Sequence, residues 1–314
     1  MADTKSHVCT VDDRQREKLR KLLEARGWEF GEVPYAHWRA KGEKVNIVAY
    51  TSGKLTVQGA GTGEFVLYTL EPEILHTFGF GYDNGEPAAA ACAVNVTPHG
   101  GIDESGKGDF FGPLAVAGVC VTAESAAKLI EAGCKDSKLI KSDKQITTIA
   151  AAIRNTVPDG FEILVLMPET YNRLYAKIGN LNRLLAWGHA RIIENLLEAN
   201  PDCPRMLSDK FGSEHLIKRA LMTRGRNVKL EQMVRAESDI AVAAASILAR
   251  DAFIRGMKKL SEQTGTDLPR GAGAGVLKTA REIYSKHGAD TLASLVKTHF
   301  KCWNEVTGIV AEGE

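Results

Sequence analysis

Asp103 and Glu104 stand side by side in the stretch Gly101-Ile102-Asp103-Glu104-Ser105-Gly106-Lys107-Gly108-Asp109-Phe110-Phe111-Gly112-Pro113. There two carboxylates end one strand, a Gly-x-Gly turn follows, and Gly112-Pro113 opens the next strand. Carboxylates at a strand end can hold hard cations through oxygen, and turn glycines expose backbone N–H groups that can approach a sugar or phosphate with no Cβ in the way. That suits phosphodiester chemistry. Two more acids fall at comparable places: Asp209 ends the strand Arg-Met-Leu-Ser before Lys210-Phe211-Gly212, and Asp239 follows Glu237-Ser238 at the start of an alanine-rich helix. Each feature also has a purely structural reading. A tight turn uses glycines by itself, Asp209 suits a loop, and Ser238 or Asp239 suits a helix cap. Convergence favours function, because Asp103, Glu104, Asp209 and Asp239 all sit at strand or helix ends that could face one sheet edge. Four massed acids repel unless a cation sits among them.

The elements that must position these acids follow from hydrophobic periodicity. From Gly101 onward strands and helices alternate: a strand at 114–121, helices at 123–132 and 142–155, a strand at 161–167, and a long amphipathic helix at 180–200. A strand at 205–208, a helix at 213–223, a strand at 227–233 and a helix at 238–254 come next, and helices at 276–286 and 290–297 close the chain. This pattern predicts an α/β domain with a mixed sheet and flanking helices. A break in composition at 79–99 separates it from a smaller piece at 1–78, giving a catalytic domain over 100–314 and a linker between. The smaller piece begins with a helix at 11–26, followed by strands within 35–59 whose Val45, Ile47 and Ala49 face one way and Lys44, Asn46 and Tyr50 the other. A helix at 63–77 should cover the apolar face. The open face then carries Tyr50, Lys54, Thr56 and Gln58, either as a solvated surface or as a nucleic-acid platform in which Arg39, Lys41, Lys44 and Lys54 interleave with Trp38 and Tyr50.

Composition bounds the rest. The chain has 314 residues, 44% hydrophobic and 25% charged, and a net charge of +1, so no global basic field marks a polyanion partner and any nucleic-acid surface must be local. The first thirty residues hold no long apolar run, which predicts a cytoplasmic protein with no membrane partner. Six cysteines without a CxxC pair argue against a zinc site or a disulfide framework and for reduced thiols. His189 and His299 read as structural, and Gly271-Ala272-Gly273-Ala274-Gly275 reads as a turn because it lacks the Gly-Lys-Ser/Thr ending of a phosphate-binding loop.

Taken in order, Asp103 to Leu114, Asp136-Ser137-Lys138, Asp209-Lys210-Phe211-Gly212, and Ala236-Glu237-Ser238-Asp239 followed by Ala243 to Ile247 resemble the type 2 ribonuclease H family. Phe110-Phe111-Gly112-Pro113, Asn180-Leu181-Asn182 and the hairpin from Tyr50 to Gly59 are similar to its bacterial ribonuclease HIII branch. The resemblance implies a ribonuclease-H-like catalytic domain and an N-terminal α+β domain with the TATA-binding-protein fold, whose open sheet face, with Tyr50, Lys54 and Gln58, grips nucleic acid. It implies hydrolysis of the RNA strand of RNA–DNA hybrids, leaving 3′-hydroxyl and 5′-phosphate ends, by a monomer that uses Mg²⁺ or Mn²⁺. The metal ligands it implies are Asp103, Glu104, Asp209 and Asp239. Ser105, Gly106, Lys107 and Gly108 would lie on the 2′-hydroxyl side of the cut strand, with Ser137 and Lys138 on the substrate backbone. Related ribonuclease HII proteins sense an RNA–DNA junction with a C-terminal tyrosine, and this sequence has none between Gly256 and Glu282.

In such a site two cations about 3.5–4 Å apart flank the scissile phosphate. RNA is selected by the wide, shallow minor groove and its 2′-hydroxyls rather than by base edges. Two rival readings remain: a junction-type enzyme that cuts at single embedded ribonucleotides, and a non-catalytic nucleic-acid-binding protein.

Overall fold

Alternation of apolar and polar residues builds the first sheet. The computed structural model describes residues 6–75, 97–209, 214–222, 224–233 and 236–308, so the expected linker lies outside the described residues as far as 96. By its internal contacts the chain divides into Met1–Glu86 and Pro87–Glu314. In the first unit β1 (Ser6–Thr10), helix α1 (Asp13–Ala25), β2 (Glu29–Gly31), β3 (Ala36–Gly42), β4 (Val45–Tyr50) and β5 (Lys54–Gln58) form an antiparallel sheet in the order β1-β5-β4-β3-β2 with α1 packed on it. Helix α1 starts where Asp12 and Gln15 make a reciprocal capping box, and it buries Leu19 and Leu23. Helix α2 (Thr62–Phe65) continues as wider π-helical turns over Val66–Leu75, which contain Pro72.

The inward set of this sheet is the expected one: Ile47, Ala49, Leu55 and Val57 are fully buried with Leu70 of the π-helical segment. Truncating one of these, as in Leu55→Ala, costs about 2–5 kcal/mol. Trp38 departs from expectation. It shares a strand face with Ala40 and is 5% exposed inside the core, edge-on to Phe30, while Arg39 and Lys41, with the exposed His37, face outward. Strand β1 was not foreseen in the sequence; it covers the β5 edge, pairing Val8 with Thr56.

The second unit contains β6 (His99–Ser105), β7 (Leu114–Val121), α3 (Ala123–Glu131), α4 (Asp143–Thr156), β8 (Phe161–Leu166), α5 (Pro168–Ile178) and α6 (Leu181–Ala199). It continues with β9 (Arg205–Asp209), α7 (Glu214–Ala220), β10 (Lys229–Met233), α8 (Ile240–Thr264), α9 (Ala274–Ala293) and α10 (Lys301–Thr307). The sheet order is β10-β9-β6-β7-β8, with β6, β7 and β8 antiparallel and β6, β9 and β10 parallel, which is the expected mixed sheet. Helix α8 packs on β6 and β7 through Ala241, Ala243, Ala244, Ala245 and Ala249, all fully buried. Small side chains allow that approach, and a Cβ at Gly101 of β6 would run into the backbone of Ala241 and Val242.

Four elements differ from expectation, one of them α10 (Lys301–Thr307), which the sequence reading did not foresee. Helix α5 was missed although Pro168 opens it and Gly179, at φ 69°, closes it. Helix α8 runs on to Thr264, where Gly265 at φ 62° ends it. The expected helix at 290–297 stops short: α9 breaks at Gly288 and ends at Ala293, and Val296 makes a β-bridge with Phe111.

Candidate active site

The parallel register of β6 and β9 pairs Ile102 with Ser208, so the next residues, Asp103 near the end of β6 and Asp209 at the end of β9, stand on neighbouring strands at one level. Asp103 is 8% exposed. It accepts a hydrogen bond from the Glu104 N–H at 2.8 Å and one from Ser246 of α8, whose own hydroxyl meets that of Ser137 at 2.7 Å. Burial first, then the charges of Glu104 and Asp209, push the Asp103 carboxyl well above the usual carboxylate range. Burial, with Glu237 and Glu104 beside it, raises Asp209 to about 6.

Glu104 is held the other way. Burial opposes its charge, but Lys107 Nζ at 2.9 Å on one oxygen and His189 Nε2 at 3.0 Å on the other keep it ionised well below its ordinary range. His189 is fully buried in α6, and its Nδ1 meets Ser208 Oγ at 3.1 Å. The sequence reading of His189 as merely structural therefore missed a contact to the acid pair. Its only available signal was a histidine on the core face of an otherwise apolar helix.

Glu237 faces this cluster. It is buried, it raises Asp209, and it holds the Lys138 ammonium. Asp239, the fourth acid expected in the cluster, is engaged elsewhere. Its carboxylate meets His99 Nε2 at 2.8 and 2.9 Å and accepts the N–H groups of Ala241 and Val242 as the cap of α8. Burial opposes that charge, yet the His99 bond holds the Asp239 carboxyl low, and Asp239 in turn raises His99 against its burial. The geometry explains the division. Helix α8 begins beside Gly101 and reaches Asp103 only at Ser246, so its cap residue Asp239 stands near His99, at the start of β6, whereas Glu237 lies in the short turn Ala236–Ser238 ahead of the helix, which is tied to Asp209 by the Ala236 N–H donating to Asp209 Oδ1 at 3.3 Å.

The glycine turn after the acids is fixed from behind. Gly106 and Gly112 have φ of +88° and +86°, and a Cβ on Gly106 would strike Pro113 and the Phe253 ring. Lys297, fully buried, donates to the carbonyls of Asp109 and Gly112 at 2.7 and 2.8 Å, and burial lowers its amine to about 7. Gly271 N–H donates to Asp109 Oδ1 at 2.7 Å and its carbonyl accepts from Phe110, so the segment read as a plain turn clamps this loop. Ser105, Lys107 and Gly108 stay partly exposed at the turn. Ser137, expected on the substrate, is 6% exposed and spends its hydroxyl on Ser246.

The donor set suits a hard cation: all-oxygen ligands, buried, with two carboxyls raised by like charge. Among the described residues no three His, Cys, Asp or Glu side chains are yet gathered tightly enough to hold one. Lys107 and Lys138 pair with Glu104 and Glu237. In the first unit Lys54 and Gln58 are exposed and Tyr50 half-buried on the open sheet face, where Arg39 Nε donates to Asn46 at 2.7 Å.

A mixed sheet whose central strand ends in adjacent buried carboxylates, crossed by an alanine-rich helix, defines a class of nuclease. The family model described as Ribonuclease HII matches residues 100–303, and one described as a domain of unknown function (DUF3378) matches 6–74. Ribonuclease HIII of Protochlamydia amoebophila (strain UWE25) is 41% identical over 312 residues, covering 99% of this chain and 100% of that protein. Ribonuclease HIII of Chlamydia pneumoniae is 42% identical over 301 residues, covering 95% and 97%. The crystal structure of Bst-RNase HIII in complex with Mn²⁺ superposes with a TM-score of 0.63 at 30% identity, covering 96% of this chain and 97% of that one. The chain belongs to the ribonuclease HIII family and is an endoribonuclease.

Proposed function

We propose that this chain hydrolyses the RNA strand of RNA–DNA hybrids, leaving 3′-hydroxyl and 5′-phosphate ends, at a site made of Asp103, Glu104, Asp209 and Glu237 with Mg²⁺ or Mn²⁺. The observation that carries the reading is the crowding of Asp103 and Asp209, whose carboxyls are pushed up by burial and by neighbouring acids. Bound Mn²⁺ in Bst-RNase HIII supports the choice of ion. Glu237 takes the place first expected of Asp239, because Asp239 is already paired with His99 and the α8 N-terminus.

Two divalent cations in such a site supply Lewis-acid activation of the attacking water and of the departing 3′-oxygen. The chain's own groups do the positioning. His189 and Lys107 fix the two Glu104 oxygens, and Ser246 fixes Asp103. With Glu104 and Glu237 holding cations, the Lys107 and Lys138 ammoniums now paired with them would be placed to meet substrate phosphates. The Gly106–Gly108 backbone approaches the ribose 2′-hydroxyl, a contact that DNA cannot make. In the N-terminal unit, Tyr50, Lys54 and Gln58, with Arg39 and Lys41, offer a polar face for the duplex backbone. Substituting Lys41 and Lys54 together by Ala should weaken hybrid binding and flatten its salt dependence by about two counterions.

The test is cleavage of two end-labelled duplexes, a uniform RNA–DNA hybrid and a DNA duplex with one ribonucleotide, by wild type and Asp103→Asn with Mg²⁺ or Mn²⁺. Multi-site cutting of the uniform hybrid, lost in the variant, is expected. Cutting confined to the single ribonucleotide would assign a junction-type enzyme, and binding without cutting would leave a nucleic-acid-binding protein.

A further inference from the structure

Two thiols meet across the acid-bearing strand, at the end away from the acids. Cys120 lies in β7 opposite Gly100 of β6, and Cys203 lies in the turn leading into β9, the strand on the other side of β6. Their sulfurs are 3.9 Å apart, with the Cys120 thiol donating to Cys203. Gly100 places no side chain beside them; a Cβ there would run into Met206 Sδ and touch Cys120 Sγ at 3.5 Å. Both cysteines are half-buried, within reach of a small solute, whereas Cys134 and Cys302 are buried. The hydrogen bond from Cys120 outweighs burial and draws the Cys203 thiol down to about 7, while the same bond pushes Cys120 up. Cys203 is thus the more easily ionised of the two thiols.

We propose that Cys203 and Cys120 form a redox site, in which a hydroperoxide oxidises Cys203 and Cys120 resolves the product to a disulfide that staples β7 to the β9 lead-in over β6. In the first step the Cys203 sulfur attacks the terminal peroxide oxygen, the O–O bond breaks, and the other oxygen leaves with a proton as water or an alcohol. Cys203 is then a sulfenic acid. In the second step the Cys120 sulfur attacks the Cys203 sulfur, the S–O bond breaks, and the hydroxyl leaves as water with the Cys120 proton. Two thiols lose two electrons in all, and one peroxide gains them. Closing the gap from 3.9 Å to the S–S bond length of about 2.05 Å asks the two half-buried side chains and the turn that carries Cys203 to move together.

The test treats the full-length protein with hydrogen peroxide, quenches it with catalase, alkylates the remaining thiols in denaturant and maps the peptides. The expected result is a linked Cys120–Cys203 peptide, lighter by two hydrogens and split by dithiothreitol, with a thermal midpoint that rises on oxidation and returns on reduction. In Cys120→Ser the reaction should stop at a sulfenic acid on Cys203 that dimedone traps; in Cys203→Ser, Cys120 should remain open to alkylation. The proposal is overturned if the wild-type protein yields no linked peptide under peroxide that oxidises its other cysteines. It is equally overturned if Cys120 in Cys203→Ser oxidises as fast as the pair does. The wild-type peptide map decides even if a variant fails to fold.

Discussion

The two ends of β6 hold acids under opposite regimes. At the C-terminal end Asp103, Glu104, Asp209 and Glu237 crowd one another, and two carboxyls rise because like charge and burial both disfavour ionisation. At the N-terminal end a single acid, Asp239, meets His99 and two helix N–H groups, and its carboxyl falls. The same residue type is left electrostatically frustrated at one end and fully satisfied at the other. Frustration of this kind is costly in a fold without ions, which makes the crowded end the place where a cation is stabilising.

The sharpest way to break this comparison is to neutralise single acids at the crowded end. Asp103→Asn and Glu237→Gln should each lower single-turnover hybrid cleavage by about a thousandfold, and the residual rate should not recover at high Mg²⁺ or Mn²⁺. Glu237→Gln is the more informative of the two. Full activity in that variant would return the fourth position to Asp239 and remove the crowding argument at Asp209.

A smaller effect should follow from His189→Ala, because His189 orients Glu104 without standing in the acid cluster itself. We expect a loss of about 10–100-fold, carried mainly by the metal concentration needed for half-maximal activity rather than by hybrid affinity. His189→Gln, which can still donate to Glu104, should recover part of it. An Ala variant with a lowered thermal midpoint and an unchanged metal requirement would reduce His189 to a packing residue.

Much of this site was legible in the sequence, and the unread parts share a physical cause. Asp103, Glu104 and Asp209 announce themselves because strand ends and glycine turns have local signatures, and the mixed sheet follows from alternating periodicities. Glu237 and Asp239 are two residues apart, so choosing between them requires knowing where α8 begins relative to β6. That depends on the close approach of Ala241 to Gly101, a long-range fact. His189, Ser246 and Lys297 were missed as parts of the site for the same reason: each meets its partner from an element far along the chain. Trp38 was misplaced because an aromatic between basic residues suits either face of a strand, and only the Phe30 contact and the buried Ala40 beside it decide. The TATA-binding-protein likeness of the first unit rests on the resemblance alone.

Lys297 offers a milder perturbation of the loop behind the crowded end. Its amine can bond two carbonyls while neutral, which fits a value lowered from 10.5 to about 7 by burial. Between those values the unfolded chain binds a proton that the folded chain does not, so unfolding free energy should rise with pH across that window. Urea denaturation of wild type at several pH values should show the rise, and Lys297→Met should flatten it. The variant should also lose several-fold in kcat, because the Asp109 and Gly112 carbonyls lose their common donor. A slope retained in Lys297→Met would assign the pH dependence to other groups.

The smallest effect is expected at the satisfied end, and it tests the comparison from its other side. Asp239→Asn keeps a side-chain oxygen for the Ala241 and Val242 N–H groups but gives up the ionic part of the His99 contact. Asn is a good helix cap, so stability should fall by about 1 kcal/mol or less. Hybrid cleavage should stay within a few-fold of wild type at saturating metal. Asp239→Ala, which removes the cap as well, should cost about 1–2 kcal/mol in urea denaturation and still cleave. A folded Asp239→Asn protein that cannot cut would mean that substrate or metal draws Asp239 away from His99 into the acid cluster. The two ends of β6 would then be joined during turnover, and the separation seen between them would describe only the resting enzyme.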